Sequence, residues 1–277
     1  SRIFFQTFTL FQIWSLAIFH WAQILSKFFI VLVIGVSFSV SSLATSFKFK
    51  VAGISNLDIH ASEGAQSKAN IIAIIGGKGL RNQDGRGNNF LIRQRVVFFD
   101  ENINFYLLPN RSSRQKAGYQ YRASRERLEA IWELVKFIKR RNNRPIFIVG
   151  FSRGTVDAGA YSKTFPKTID GVVLASGIYT NNSAKAVNYS MEIIIGNSID
   201  VPILIAHHSK DECSVTRYKF AKVFFDQVSA PRKNFLRYIG GIPSGRGCGP
   251  FHHHGFEGIE RQVALEIADW ILFQSTN

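Results

Sequence analysis

Four stretches beyond residue 50 centre on apolar runs that read as buried strands. They are residues 71–75 in "SKANIIAIIGGKG", 146–149 in "RPIFIVGFSRG", the middle of "IDGVVLASG" (169–177) and 202–206 in "VPILIAHHSKDE". A strand with one wet face alternates polar and apolar residues, so a run with no polar face must be covered on both sides. Helical patterns lie between the runs. "YRASRERLEAIWELVKFIKRRN" places Leu128, Ile131, Trp132, Val135 and Ile138 at i, i+3 and i+4 spacings, and Arg140, Arg141 and Asn142 mark its end. A helix is expected near 88–100, a strand near 103–108 closed by Pro109-Asn110, and a last amphipathic helix in "FEGIERQVALEIADWILF". This alternation predicts an α/β domain with a mostly parallel central sheet and helices on both faces. Binding sites in such sheets lie beyond the carboxyl ends of the strands, and the polar punctuation follows Ile75, Val149 and Ala206.

Residues 1–50 are set apart as a hydrophobic N-terminal segment, leaving 51–277 as one domain. Lys27 provides a positive n-region, residues 28–40 an apolar h-region, and Ser42-Leu43-Ala44 a small-x-small cleavage site. The expectation is therefore export to the periplasm or outside the cell, or membrane association if the segment stays attached. Residues 1–26 read as upstream translation or as part of a longer anchor, the only methionine being Met191. The formal charge is +15, with basic residues scattered and mildly clustered from Arg111 to Arg144. No helix-turn-helix, zinc-finger or RNA-binding signature accompanies them, so the charge gives no basis for a nucleic-acid partner.

Gly150-Phe151-Ser152-Arg153-Gly154 matches G-x-S-x-G between a strand and a helix. Such a turn lifts the serine into a strained, exposed position, and its glycines remove side chains that would collide with neighbouring elements. A serine hydroxyl needs a base, and the base an orienting acid. In this architecture the chain order is Ser, acid, His. Asp211 follows the run at 202–206, with Glu212 as its neighbour and competitor; Asp170, Asp200 and Asp226 fit that position less well. "CGPFHHHGFEGIE" offers His252, His253 and His254 before the last helix, of which His254 borders it most closely and His253 is second. The oxyanion hole then takes the N–H of Arg153 and that of Gly77 or Lys78 from the glycine loop at 76–79.

Cys213 and Cys248 are the only cysteines. If Asp211 and His254 meet, their loops are neighbours and the two thiols are placed to pair, closing a loop of about 35 residues. A rival reading gathers His207, His208, Asp211, Cys213 and residues 252–254 around zinc, but no H-E-x-x-H or paired C-x-x-C spacing supports it.

"IIAIIGGKG", "IFIVGFSRGT", "VPILIAHHSKDEC" and "CGPFHHHGFEGIE" together resemble the α/β-hydrolase superfamily, in particular small exported bacterial hydrolases akin to the dienelactone hydrolase group. The resemblance spans about residues 67–273. It implies Ser152 as nucleophile, Asp211 as acid and His254 as base, with no cofactor. The short interval 177–199 implies no large lid domain. Dienelactone hydrolases use a cysteine nucleophile, so their own activity does not carry over to a serine chain. The expected function is hydrolysis of an ester or related acyl bond in a small-molecule substrate through an acyl-enzyme. The alternative is a non-catalytic protein of this fold that binds an anionic membrane surface.

Overall fold

The computed structural model describes residues 45–179 and 186–276. The expected n-region, h-region and cleavage site lie outside these residues. Among the described residues, no helix is long and apolar enough to cross a membrane.

Eight described strands form one sheet: β1 (Thr45–Phe49), β2 (Ile59–Glu63), β3 (Ala69–Ile74), β4 (Ile103–Leu107), β5 (Ile146–Phe151), β6 (Gly171–Ala175), β7 (Ile203–His208) and β8 (Lys233–Tyr238). Their spatial order is β1-β2-β4-β3-β5-β6-β7-β8. β1 pairs antiparallel with β2, and β2 antiparallel with β4. From β4 to β8 every pairing is parallel. β1 takes up five residues of the segment set apart as 1–50. Its TSFKF alternates polar and apolar residues with an exposed face, an edge-strand pattern that the strongly apolar stretch before it overshadows.

Four described helices have ten residues or more: α1 (Arg125–Arg141), α2 (Gly154–Thr164), α3 (Tyr218–Gln227) and α4 (Glu260–Ser275). The Ser124 hydroxyl caps α1 by accepting from the Arg127 N–H, and Lys139, Arg140 and Arg141 oppose the dipole at its other end. The continuous apolar strands have a direct structural reason. Ile146 and Ile148 of β5 pack with Leu134 and Ile138 of α1 and Tyr161 of α2. Phe147 and Val149 of the same strand pack with Ile267 and Ile271 of α4 on the opposite face. Each face of the sheet has its own core, so no strand position from 146 to 149 meets water.

The chain runs from β3 outward to β4, then returns to place β5 on the other side of β3. That reversal opens a crevice at the carboxyl ends of β3 and β5. The glycine loop 76–79 leaves β3 and the G-x-S-x-G turn leaves β5 at this point.

Candidate active site

Ser152 sits on the turn between β5 and α2 with φ of 54°. That value lies in the left-handed region, costly for a side-chain-bearing residue unless its surroundings enforce it. Here they do. The Ser152 N–H donates to Ala175 O at 2.8 Å, and the Ser152 carbonyl accepts from the Thr155 N–H and hydroxyl at 3.0 and 2.6 Å. The flanking glycines are steric requirements: a Cβ on Gly154 would stand 2.1 Å from Ile74 O, and one on Gly150 2.6 Å from Gly154 O. The glycine loop comes just as close, since a Cβ on Gly76 would lie 2.7 Å from the Ser152 Cβ.

His254 lies in a single 3-10 turn, His253–Gly255, ahead of α4. Its Nε2 is 3.0 Å from Ser152 Oγ and its Nδ1 is 2.9 Å from Asp211 Oδ2. A carboxylate accepts, so Nδ1 carries the proton and Nε2 is left to accept from the serine hydroxyl. Ser176, itself at φ 43°, donates its hydroxyl to His254 O at 2.8 Å and ties this turn to the end of β6. His253 stacks on His208 instead, with ring centroids 4.3 Å apart.

Asp211 is buried in the loop after β7 and accepts from four groups. Cys213 N–H reaches Oδ1 at 2.9 Å. His254 Nδ1, the Thr216 hydroxyl (2.9 Å) and His207 Nε2 (3.2 Å) converge on Oδ2. Burial alone raises its pKa, but the charge of His254 and the hydrogen bonds from His207 and His254 outweigh it and hold the carboxyl well below its usual range. Glu212, the competing acid, has a side chain 71 % exposed and faces His252 instead.

Cys213 and Cys248 form a disulfide across 35 residues, so the Asp211 loop is covalently fixed to the segment leading into His254. Cys248→Ser is expected to lower stability by about 3–4 kcal/mol in the loop-entropy picture. The shift in urea midpoint under non-reducing conditions measures it.

Two features escaped the sequence reading. Thr216 buttresses Asp211 beside His207, whose Nε2 also lies 2.5 Å from Thr216 O, which makes it the protonated nitrogen. His207 and His208 are the last two residues of β7, because the strand runs two residues beyond its apolar core. Asp157 of α2 is fully buried and paired with Arg122 Nη1 (2.5 Å) and Arg127 Nε (2.7 Å). Arg122 Nη2 also donates to Ile75 O at 3.0 Å and approaches Gly77 O at 3.5 Å. The C=O and N–H of a trans peptide point in opposite directions, so the Lys78 N–H turns away from that buried guanidinium. An acid in a helix of small residues was the available signal, since a buried charge needs a partner.

An open cleft of 620 Å³ lies over Ser152 and His254, with Gly77 and Lys78 in its wall. Ile75, Leu80, Ile92 and Phe151 supply its apolar lining. Arg153 follows the serine at the head of α2, its guanidinium 4.9 Å from the Tyr119 ring. Among the described residues, no group of three or more His, Cys, Asp or Glu is arranged to hold a metal ion.

No family model and no curated protein matches the sequence. Solved structures do match the fold. An α/β serine hydrolase homologue from Coxiella burnetii superposes with a TM-score of 0.56 at 13 % identity, over 83 % of this chain and 96 % of that one. Dienelactone hydrolase from Anabaena variabilis gives 0.57 at 10 % identity, over 83 % and 98 %. A monoacylglycerol lipase from Paleococcus ferrophilus gives 0.56 at 13 % identity, over 84 % and 99 %. The chain has the α/β-hydrolase fold, with no large extra domain among the described residues.

Proposed function

We propose that this protein is a serine hydrolase that cleaves an ester or related acyl bond. One observation carries the reading: the hydrogen-bonded series Ser152 Oγ, His254 Nε2, His254 Nδ1, Asp211 Oδ2, with steps of 3.0 and 2.9 Å, beneath an open cleft. His254 Nε2 takes the Ser152 proton as Oγ bonds to the acyl carbon. The negative charge that develops on the carbonyl oxygen is met by the N–H of Arg153 and of Gly77 or Lys78. The intermediate collapses, the carbon–oxygen bond to the alcohol breaks, and His254 returns the proton to the leaving oxygen. Water then attacks the acyl carbon, giving its proton to His254, and the bond to Oγ breaks as Ser152 is reprotonated. Asp211 keeps the Nδ1–H oriented throughout and offsets the imidazolium charge.

The disulfide favours an oxidising compartment and hence an exported protein. A fluorophosphonate probe tests the activity. Labelling of the wild type that disappears in Ser152→Ala is the expected result. A folded wild type that takes no label returns the chain to the class of non-catalytic binding proteins on a hydrolase fold.

A further inference from the structure

The cleft over Ser152 is uneven in charge. Lys78, Arg81 and Arg86 line it, and among the described residues no aspartate or glutamate does. A net charge of +15 makes cations common on this surface, so their number alone decides nothing. Their setting is more informative. Arg81 is half-buried, and its Nε donates to Ser113 O at 2.9 Å, which anchors the guanidinium and leaves its outer edge directed elsewhere. Among the described residues, neither Arg81 nor Lys78 has a carboxylate partner, and Arg86 has only Asp84 at 3.9 Å. Lys78 stands on the same glycine loop that abuts Ser152.

Cations of one sign on the wall of a concave site concentrate their field and draw an oppositely charged ligand inward. A guanidinium held at its Nε keeps a planar pair of donors, the shape that matches a carboxylate or phosphate. Leu80, Ile92 and Phe151 line the same cleft as these cations and the serine, and suit a short hydrocarbon stem. We propose that the natural substrate is an acyl compound carrying an anionic oxygen group a few bonds from the scissile carbonyl, bound by Arg81, Arg86 and Lys78. This deepens the serine-hydrolase reading and rests on it.

Matched ester pairs test the idea with the full chain. One pair puts the charge on the acyl side: 4-nitrophenyl hydrogen adipate against 4-nitrophenyl hexanoate. The other puts it on the alcohol side: the acetyl ester of 4-hydroxybutyrate against pentyl acetate. Rates are taken after subtracting those of Ser152→Ala. The expected result is a kcat/KM ratio of anionic to neutral ester above about ten in at least one pair, a size that a few partly exposed charge contacts supply. The ratio should fall toward one in the Arg81→Gln/Arg86→Gln double variant, and likewise in about 1 M salt, where the screening length is about 3 Å. A ratio below about ten in both pairs overturns the inference, while Ser152-dependent turnover of the neutral esters leaves the hydrolase reading standing. A high ratio that the double variant preserves overturns the assignment to these arginines. No turnover of any ester together with no fluorophosphonate labelling overturns both.

Discussion

Asp211→Asn is expected to lower kcat by about ten-thousandfold with little change in KM, the scale seen when a buried acid behind a catalytic histidine becomes an amide. The cause is specific to the contacts of this carboxylate. Asp211 accepts from Cys213 N–H on one oxygen and from His254, Thr216 and His207 on the other. An asparagine has one acceptor oxygen for these four donors. If its amide nitrogen takes the Oδ2 position, its hydrogens face three other donors, and His254 relieves the conflict by moving its proton to Nε2. That tautomer presents an N–H to Ser152 and cannot take its proton. If the amide is reversed, the Cys213 N–H loses its acceptor and the acid loop shifts. Steady-state kinetics on an ester substrate give the kcat and KM changes, and the imidazole nitrogen shifts by NMR report which nitrogen holds the proton. A kcat within tenfold of wild type would remove Asp211 from the proposed mechanism.

The second large effect falls on stability. Asp157→Asn is expected to cost about 3–5 kcal/mol, because it leaves two guanidinium groups buried without their countercharge. Arg122 and Arg127 are both essentially inaccessible to water, so neither can turn outward to recover hydration. Urea unfolding at neutral pH measures the loss. The same substitution should slow hydrolysis by about a hundredfold in whatever fraction remains folded, comparable to losing one oxyanion donor. Arg122 contacts the carbonyls of Ile75 and Gly77, and Asp157 holds Arg122 in place, so the glycine loop beside Ser152 depends on a carboxylate one turn into α2. A variant with wild-type stability would mean that the charge cluster is neutral in effect despite its burial.

The inner sheet could be read from the sequence because burial on both faces erases polar alternation. Ile146, Phe147, Ile148 and Val149 are apolar for two separate reasons, one core above and one below. The outer strands were not legible for the complementary reason. TSFKF, IHASE and KNFLRY have partly exposed patterns, and such segments resemble loops until pairing partners are known. Ser152, Asp211 and His254 could be named because chain order and strand ends constrain where each must fall. Thr216 and the pairing of Asp157 with Arg122 and Arg127 could not, since each depends on contacts between segments that composition does not link. Arg122 and Arg127 were also hidden in a run of basic residues in which most neighbours are solvated.

The positions along the chain also impose an order in time. Ser152 is synthesised 102 residues before His254, and Asp211 43 residues before it. Chains grow from the N-terminus, so a nascent polypeptide can form β3, β5 and the serine turn while the histidine is still unmade. The cross-link between the later two loops waits longer still, for Cys248 and then for an oxidant. A chain released early or cut before residue 254 would present the serine turn without its histidine. Assembly of the site thus trails synthesis of the serine turn by at least 102 residues.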